Sequence, residues 1–128
     1  MHLRLIILGI TALLTAPAAL ALPAFAGEDT GLAQHGAIAL NSSTRAYGYA
    51  FNAGSRRIAQ QRAVRQCGAG CTPVLAFRNG CGALALGSSD YGAASADTRP
   101  TAQRKALLQC RHEDCVVVAW ACTDRPLR

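Results

Sequence analysis

The second half of this chain repeats the pattern of its first half. A shift of 43 residues places Ser55–Cys67 on Thr98–Cys110, with matching residues along the whole segment. With one or two insertions the match extends to further pairs, which are Gly36/Gly82, Tyr47/Tyr91, Gly48/Gly92 and Cys71/Cys115. We therefore expect two equivalent structural units, with the insertions falling in loops.

Each unit has the pattern strand, strand, helix, strand. The predicted strands cover residues 37–40, 47–51 and 73–77 in the first unit and 83–86, 91–96 and 116–121 in the second. A hydroxyl residue that can cap the first turn, Ser55 or Thr98, precedes each predicted helix. Pro100 falls in the first turn of the second helix, where its missing N–H costs nothing.

Small residues occupy one side of both predicted helices, so each helix can approach a sheet closely. These residues are Ala59, Ala63, Val64 and Cys67 in the first helix and Ala102, Ala106, Leu107 and Cys110 in the second. The strands contain the aromatic residues Tyr47, Tyr49, Phe51, Tyr91 and Trp120. We expect the tyrosines and Phe51 in the core or packed on a sheet, because aromatic residues suit buried strand surfaces. Trp120 alternates with Val116 and Val118, and we therefore expect it in the core.

The two units meet at Asn79-Gly80, which lies between two apolar runs. Both residues tolerate positive φ, and the pair therefore predicts a β-hairpin that joins the units about a pseudo-two-fold axis. The predicted fold class is α+β, with two ββαβ repeats, an antiparallel sheet, two helices packed on it and disulfides that staple it. Repeat one covers about residues 35–80 and repeat two about residues 81–124.

Residues 1–26 have the pattern of a signal peptide. A short basic region that contains Arg4 precedes an apolar run, and Ala24-Phe25-Ala26 provides the small-x-small pattern of a cleavage site. Cleavage between Ala26 and Gly27 would leave one domain at residues 27–128. The alternative is a retained membrane anchor, but two prolines interrupt the apolar run. We expect an exported protein, periplasmic or extracellular, with no transmembrane anchor after cleavage.

All six cysteines follow the predicted signal peptide, and an even number in an exported chain indicates three disulfides. Short spacings predict two local bridges, and the repeat symmetry then pairs the two remaining cysteines. The predicted pairs are Cys67–Cys71, Cys110–Cys115 and Cys81–Cys122, of which the last would tie the two repeats together. The alternative is a zinc site built from Cys67, Cys71, Cys110 and Cys115, with His112 as a possible replacement for one cysteine.

The motifs together resemble the exported bacterial family known as domain of unknown function 4189. The resemblance rests on Gly-Ala-Ile-Ala, Tyr-Gly, an Ala-rich helix that ends in Cys, Phe-Arg-Asn-Gly-Cys-Gly-Ala-Leu-Ala, a second such helix, and Val-Val-Ala-Trp-Ala-Cys. It covers residues 35 to 122. The resemblance implies the repeat fold and an extracytoplasmic location, and it brings no catalytic residue, cofactor or metal site with it.

The chain carries a formal net charge of +6, which favours anionic partners. Arg57, Arg62 and Arg65, with Arg56, give the first helix a basic side that could bind phosphate or carboxylate groups. A nucleic-acid partner is disfavoured, because aromatic residues make up only 5% of the chain and no nucleic-acid-binding motif is present.

Our leading hypothesis is a small exported module, non-enzymatic and without a cofactor or metal, that binds an extracytoplasmic protein or envelope component. It would bind through a sheet edge or through the arginine side of the first helix. The second hypothesis is an electrostatic binder of an anionic envelope polymer. The third is a hydrolase that uses His112 with a neighbouring carboxylate, because His112-Glu113-Asp114 has the residue types for acid–base chemistry. We expect His35, which has no nearby carboxylate in sequence, to be solvated.

Overall fold

The computed structural model describes residues 33–124, which form two copies of one strand–strand–helix–strand unit. The first comprises β1 (His35–Leu40), β2 (Tyr47–Ala53), α1 (Arg56–Cys67) and β3 (Thr72–Arg78). The second comprises β4 (Cys81–Leu86), β5 (Tyr91–Ala96), α2 (Arg99–Cys110) and β6 (Val116–Cys122). The order confirms the two predicted ββαβ repeats. The predicted signal peptide and its cleavage site at Ala26/Gly27 lie outside the described residues.

Each unit forms its own three-stranded antiparallel sheet, with the first strand of the unit in the centre. The first sheet has the order β2-β1-β3 and the second has the order β5-β4-β6. Strands β3 and β4 therefore lie in different sheets, and the predicted hairpin at Asn79-Gly80 is wrong. The backbone N–H of Asn79 donates to the carbonyl of Gln34, whereas that of Gly80 donates to Oγ1 of Thr123. Asn79 thus bonds to the first unit and Gly80 to the second.

The two sheets pack face to face, and one helix covers the outer face of each. Ile38 of β1 and Leu84 of β4 occupy equivalent positions, and both side chains are fully buried between the sheets. On the other face of β1, Ala37 packs with Ala59 of α1. Because both of its faces are covered, β1 is buried along its whole length. Packing of the sheets, rather than a shared hairpin, joins the repeats in one core.

The two Tyr-Gly pairs mark the places where a helix backbone touches its sheet. A Cβ atom at Gly48 would lie 2.5 Å from the backbone nitrogen of Cys67 in α1. A Cβ atom at Gly92 would lie 2.7 Å from the backbone nitrogen of Cys110 in α2. These distances are shorter than van der Waals contact, so each helix can sit this close only where the sheet has no side chain.

The two helices differ at their first turns. Oγ of Ser55 accepts a hydrogen bond from the backbone N–H of Ile58 at 3.2 Å, as expected for a capping residue. Thr98 occupies the equivalent position, but its hydroxyl bonds the hydroxyl of Thr101, so the predicted cap hydrogen bond is absent there. Leu107, predicted on the inner side of α2, is 38% exposed because the buried side consists of Ala102, Ala106 and Cys110.

Three disulfides join the cysteine pairs that the repeat predicts, and no cysteine is left as a thiolate ligand for the zinc alternative. The pairs are Cys67–Cys71, Cys110–Cys115 and Cys81–Cys122. Cys81 and Cys122 lie opposite each other on β4 and β6, so their bridge joins two strands of the second sheet. The expectation that this bridge ties the two repeats together is wrong.

Between residues 33 and 124, neither helix has the length and apolar character needed to cross a bilayer.

The first sheet has no disulfide at the position that Cys81–Cys122 occupies in the second. His35 and Arg78 lie opposite each other there. His35 is 8% exposed, so the expectation that it is solvated is wrong. It is the first residue of β1, the central strand, and this position accounts for its burial.

Candidate ligand-binding cleft

Three aromatic side chains form a row along one face of β2. Tyr47, Tyr49 and Phe51 occupy alternate positions, and between 37% and 51% of each is exposed. Successive strand residues point to opposite sides, and the intervening Gly48 and Ala50 face α1. The core position predicted for these aromatic side chains is therefore wrong. Strand β2 lies at a sheet edge, and the facing sheet leaves the outer surfaces of the rings uncovered.

Strand β6 forms the second wall of a cleft beside this row. Strands β2 and β6 are edge strands of different sheets, and they contact each other where the sheets pack. Residues 118–122 line the cleft together with the three rings, and its volume is about 540 Å³. Small-molecule sites in proteins commonly have volumes of about 300–1,000 Å³. We call this aromatic-walled space the β2/β6 cleft.

Trp120 also lines the cleft, and it is 41% exposed. The prediction that it is buried rested on alternation with Val118, but β6 shifts register beside Leu84 and the alternation breaks there. Ala119 and Ala121 instead face the core between the sheets. Trp120 points the other way, and the guanidinium of Arg99 lies 3.8 Å from its ring centroid. This cation–π contact places a positive charge beside Trp120.

A pair of hydrogen bonds links β2 to the residues that follow β6. Nδ2 of Asn52 donates to Oδ2 of Asp124 at 2.9 Å, and the backbone N–H of Asp124 donates to Oδ1 of Asn52 at 2.8 Å. Asn52 has a φ of +52°, a conformation that asparagine tolerates better than most residues. Because Asn52 follows Phe51 directly in sequence, the pair holds this end of the aromatic row against the second sheet.

The pseudo-two-fold axis relates the β2/β6 cleft to a depression between β5 and β3 with a volume of about 370 Å³. Tyr91 occupies the position of Tyr47 there, but the other aromatic residues have small counterparts. The correspondences are Tyr49 to Ala93, Phe51 to Ser95 and Trp120 to Ala76. A position-by-position comparison of the repeat strands would have revealed this asymmetry in the sequence. It is the signal that our sequence analysis missed.

The four arginines of α1 are all exposed, and they line more than one depression. Arg57 and Arg65 line a shallow depression of about 560 Å³, which also contains Pro73. Arg56 lines a different depression of about 240 Å³. Arg62 lines neither of these two. The predicted basic side therefore consists of exposed positive groups on a helix that has no acidic residue.

His112 pairs with Asp90, whose Oδ2 lies 2.6 Å from its Nε2. Both side chains are about half exposed, at 52% and 50%. Asp114, in the same loop, accepts hydrogen bonds from the backbone and the hydroxyl of Ser88, and these lower the pKa of its carboxyl group. Within residues 33–124, no group of three or more His, Cys, Asp or Glu side chains is placed to hold a metal ion.

We expect Asp114→Asn to flatten the dependence of stability on pH in the acid range. The folded-state pKa of Asp114 lies below its unfolded value because of the Ser88 hydrogen bonds. Its contribution is therefore complete above the unfolded pKa and is lost as the pH falls through the folded pKa. Urea unfolding of both proteins between about pH 5 and pH 2 measures the difference. An identical slope in both proteins would show that Asp114 makes no such contribution.

The chain resembles one solved structure closely enough to compare the two over nearly their whole lengths. The NMR structure of Rv1813c from Mycobacterium tuberculosis aligns with a TM-score of 0.57 and 28% sequence identity. The alignment covers 95% of this chain and 97% of that chain. No curated protein matches the sequence.

The family comparison covers the two repeats from the first residue of β1 to the last residue of β6. The model of the domain of unknown function DUF4189 matches residues 35–122. This match contains both helices, all six strands and the three disulfides. The chain therefore belongs to the DUF4189 family.

Proposed function

We propose that this protein is an exported, non-enzymatic binding module whose ligand site is the β2/β6 cleft. Export is supported by the signal-peptide pattern of residues 1–26 and by the three disulfides, since disulfides persist in oxidising compartments. A domain of this size with three disulfides presents a rigid surface, and rigid surfaces bind with a small loss of conformational entropy.

The observation that carries this proposal is the exposure of four aromatic residues that line one cleft. Tyr47, Tyr49, Phe51 and Trp120 each remain more than one third exposed although the chain has a core in which to bury them. Large exposed apolar surface is costly in a soluble protein and usually marks a binding site. Aromatic residues also dominate the energetics of protein interfaces. The related depression between β5 and β3 lacks this surface, so the repeat fold alone does not require it.

A second candidate function is electrostatic binding of an anionic envelope polymer. The supporting observation is α1, which carries four exposed arginines and no acidic residue. Binding of this kind depends on neutralised charge and therefore weakens steeply as salt increases. Binding through the aromatic cleft should change much less with salt.

Affinity capture from envelope and culture-supernatant extracts, with oxidised protein as bait and elution by a salt gradient, tests both candidates. We expect a discrete partner that stays bound at high salt. The double variant Tyr49→Ala with Phe51→Ala should capture at least about tenfold less of this partner. Tyr91→Ala is the matched control, because it removes an equally exposed tyrosine from the pseudo-equivalent strand.

A variant with Arg57→Gln, Arg62→Gln and Arg65→Gln decides between the two candidates. Unchanged capture by this variant supports the cleft. Heterogeneous material that elutes at modest salt and disappears with the three arginines would instead establish the polymer function. Equal losses with the Tyr91 control and the cleft variant would refute the proposed site.

A further inference from the structure

Each sheet has two edge strands, and three of the four edges are obstructed. On β2, the backbone N–H of Tyr49 donates to Oε1 of Gln66 at 2.5 Å. On β5, Nζ of Lys105 donates to the carbonyl of Ser95 at 2.8 Å. On β3, Pro73 removes a backbone N–H altogether. Such devices keep edge strands from pairing with other chains.

Strand β6 has none of these protections. Its sequence is Val-Val-Val-Ala-Trp-Ala-Cys, without proline or charge, and Val117 stands where β3 has Pro73. In the part of the chain that the structure describes, no side chain bonds the backbone of β6 itself along this edge; Asn52 bonds the backbone N–H of Asp124, which lies two residues past the end of the strand. An apolar edge strand with free backbone groups is a template for another strand.

The register shows which backbone groups of β6 point outward. The Cα atoms of Cys81 and Cys122 are 4.0 Å apart, which identifies this pair as one without mutual backbone hydrogen bonds. Trp120 lies two residues earlier, opposite Ala83, and therefore forms a pair of the same type. The N–H and C=O groups of Trp120 and Cys122 thus point away from β4. Both residues line the β2/β6 cleft.

The aromatic row has the spacing of an extended polypeptide. Tyr47, Tyr49 and Phe51 are two residues apart along β2, which corresponds to steps of about 6.8 Å. Alternate side chains of a strand laid along the cleft would recur at the same interval. Each of them could contact one ring while the backbone pairs with β6.

The positive charge beside Trp120 indicates one further property of the ligand. Arg99 stacks on Trp120 at 3.8 Å, and the chain as a whole has an excess of positive charge. A stacked guanidinium can still donate hydrogen bonds from its edge, and a carboxylate is its best-matched partner.

We propose that the β2/β6 cleft binds an extended protein segment, which adds to β6 as the fourth strand of the second sheet. The segment carries apolar side chains at alternate positions, against Tyr47, Tyr49 and Phe51, and an acidic residue near Arg99. This inference rests on the proposed function, because it assigns a ligand class to the same cleft. It makes main-chain hydrogen bonds the source of affinity and the aromatic row the source of selectivity.

A random dodecapeptide library displayed on phage, selected on the oxidised protein, supplies the probe. The tightest peptide is then synthesised with one N-methylated amide at a time. We expect losses of roughly tenfold or more at every second amide and small losses at the amides between them, because only alternate N–H groups face β6. Arg99→Gln should weaken peptide binding. Replacing the acidic residue of the peptide should then have no additional effect on its affinity for that variant.

Trp120→Pro and Trp120→Ala form a matched pair on the protein side. Both variants remove the ring, but only proline also removes the outward N–H. An edge strand tolerates proline where this group faces solvent. We expect Trp120→Ala to weaken peptide binding and Trp120→Pro to abolish it. Both variants should still unfold cooperatively. If Trp120→Pro fails to fold, the N-methyl series still decides the proposal.

The failures of the two proposals differ. Peptides that bind Tyr49→Ala with Phe51→Ala as well as they bind the wild type would refute the cleft itself. Peptides that need those rings but show no alternation on N-methylation would refute strand addition and keep the cleft. Self-association through β6 that excludes the peptide would also overturn the inference, because the occupant would then be a second copy of the chain.

Discussion

Replacing Cys81 and Cys122 with alanine is expected to lower the free energy of unfolding by about 4 kcal/mol. The bridge spans 41 residues, from the first residue of β4 to the last residue of β6, and so restricts the unfolded chain strongly. Cys67–Cys71 spans only 4 residues, and its removal should cost about 2 kcal/mol on the same basis. Urea unfolding of the two double variants under oxidising conditions measures both effects.

The matched comparison separates loop length from mere loss of a disulfide. Both variants lose one bridge and two sulfur atoms, but only one loses a long-range link within the second sheet. Because Cys122 lines the β2/β6 cleft, the variant that lacks Cys81–Cys122 should also bind the cleft ligand more weakly. A greater loss of stability on removing Cys67–Cys71 would contradict this account.

Phe77→Ala is expected to destabilise the protein by about 3–5 kcal/mol. The ring is 7% exposed, and it fills the space beside two equivalent glycines on the central strands. A Cβ atom at Gly36 would overlap ring atoms of Phe77, and a Cβ atom at Gly82 would lie 2.5 Å from one. The residue that corresponds to Phe77 in the second repeat is Ala121, so one ring serves both repeats. Its loss would leave a cavity beside the two glycines.

The complementary shapes of Phe77 and Gly36 can be tested with a double-mutant cycle. Gly36→Ala alone should be destabilising, because the three atoms nearest to its new methyl group all belong to the Phe77 ring. In the Phe77→Ala background, Gly36→Ala should lower the free energy of unfolding much less, or should raise it, because the ring no longer occupies that space. Thermal and urea unfolding of the four proteins gives the coupling energy. Additive effects would show that the ring and the glycine do not share one space.

The internal repeat made the order of the elements and the disulfide partners predictable. Strand and helix periodicities are local properties, and a second copy of each element supplies an independent check on the first. The Ala positions of α1 and α2 predicted tight packing, and the structure shows that Gly48 and Gly92 on the sheets allow it. Ser55 was correctly identified as a cap, since the hydroxyl and the helix start are adjacent in sequence.

The sequence did not reveal how the two repeats are joined. Asn79-Gly80 has the local chemistry of a hairpin, but the strands on either side each pair with the first strand of their own repeat. A turn signal specifies the conformation of two residues and not the sheet to which the flanking strands belong. The same limit explains the bridge between Cys81 and Cys122, which was correctly paired but was expected to cross between the repeats.

The cleft was missed for a related reason. Aromatic residues in strands are usually buried, and only the position of a strand at a sheet edge decides otherwise. The topology places β2 and β6 at neighbouring edges and exposes Tyr49, Phe51 and Trp120 together. The contact of Arg99 with Trp120 is not visible in the sequence, because the ring lies twenty-one residues later in the chain.

The fluorescence of Trp120 tests the central claim, that the β2/β6 cleft is the binding site, most directly. Trp120 is the single tryptophan of the chain and lines the cleft, so its emission reports on this one place. We predict that the captured partner or the selected peptide shifts or quenches this emission saturably, and that Tyr91→Ala leaves the titration unchanged. Tyr49→Ala with Phe51→Ala should move the midpoint by at least about tenfold. Saturating binding, measured independently, that leaves Trp120 emission unchanged would contradict the account.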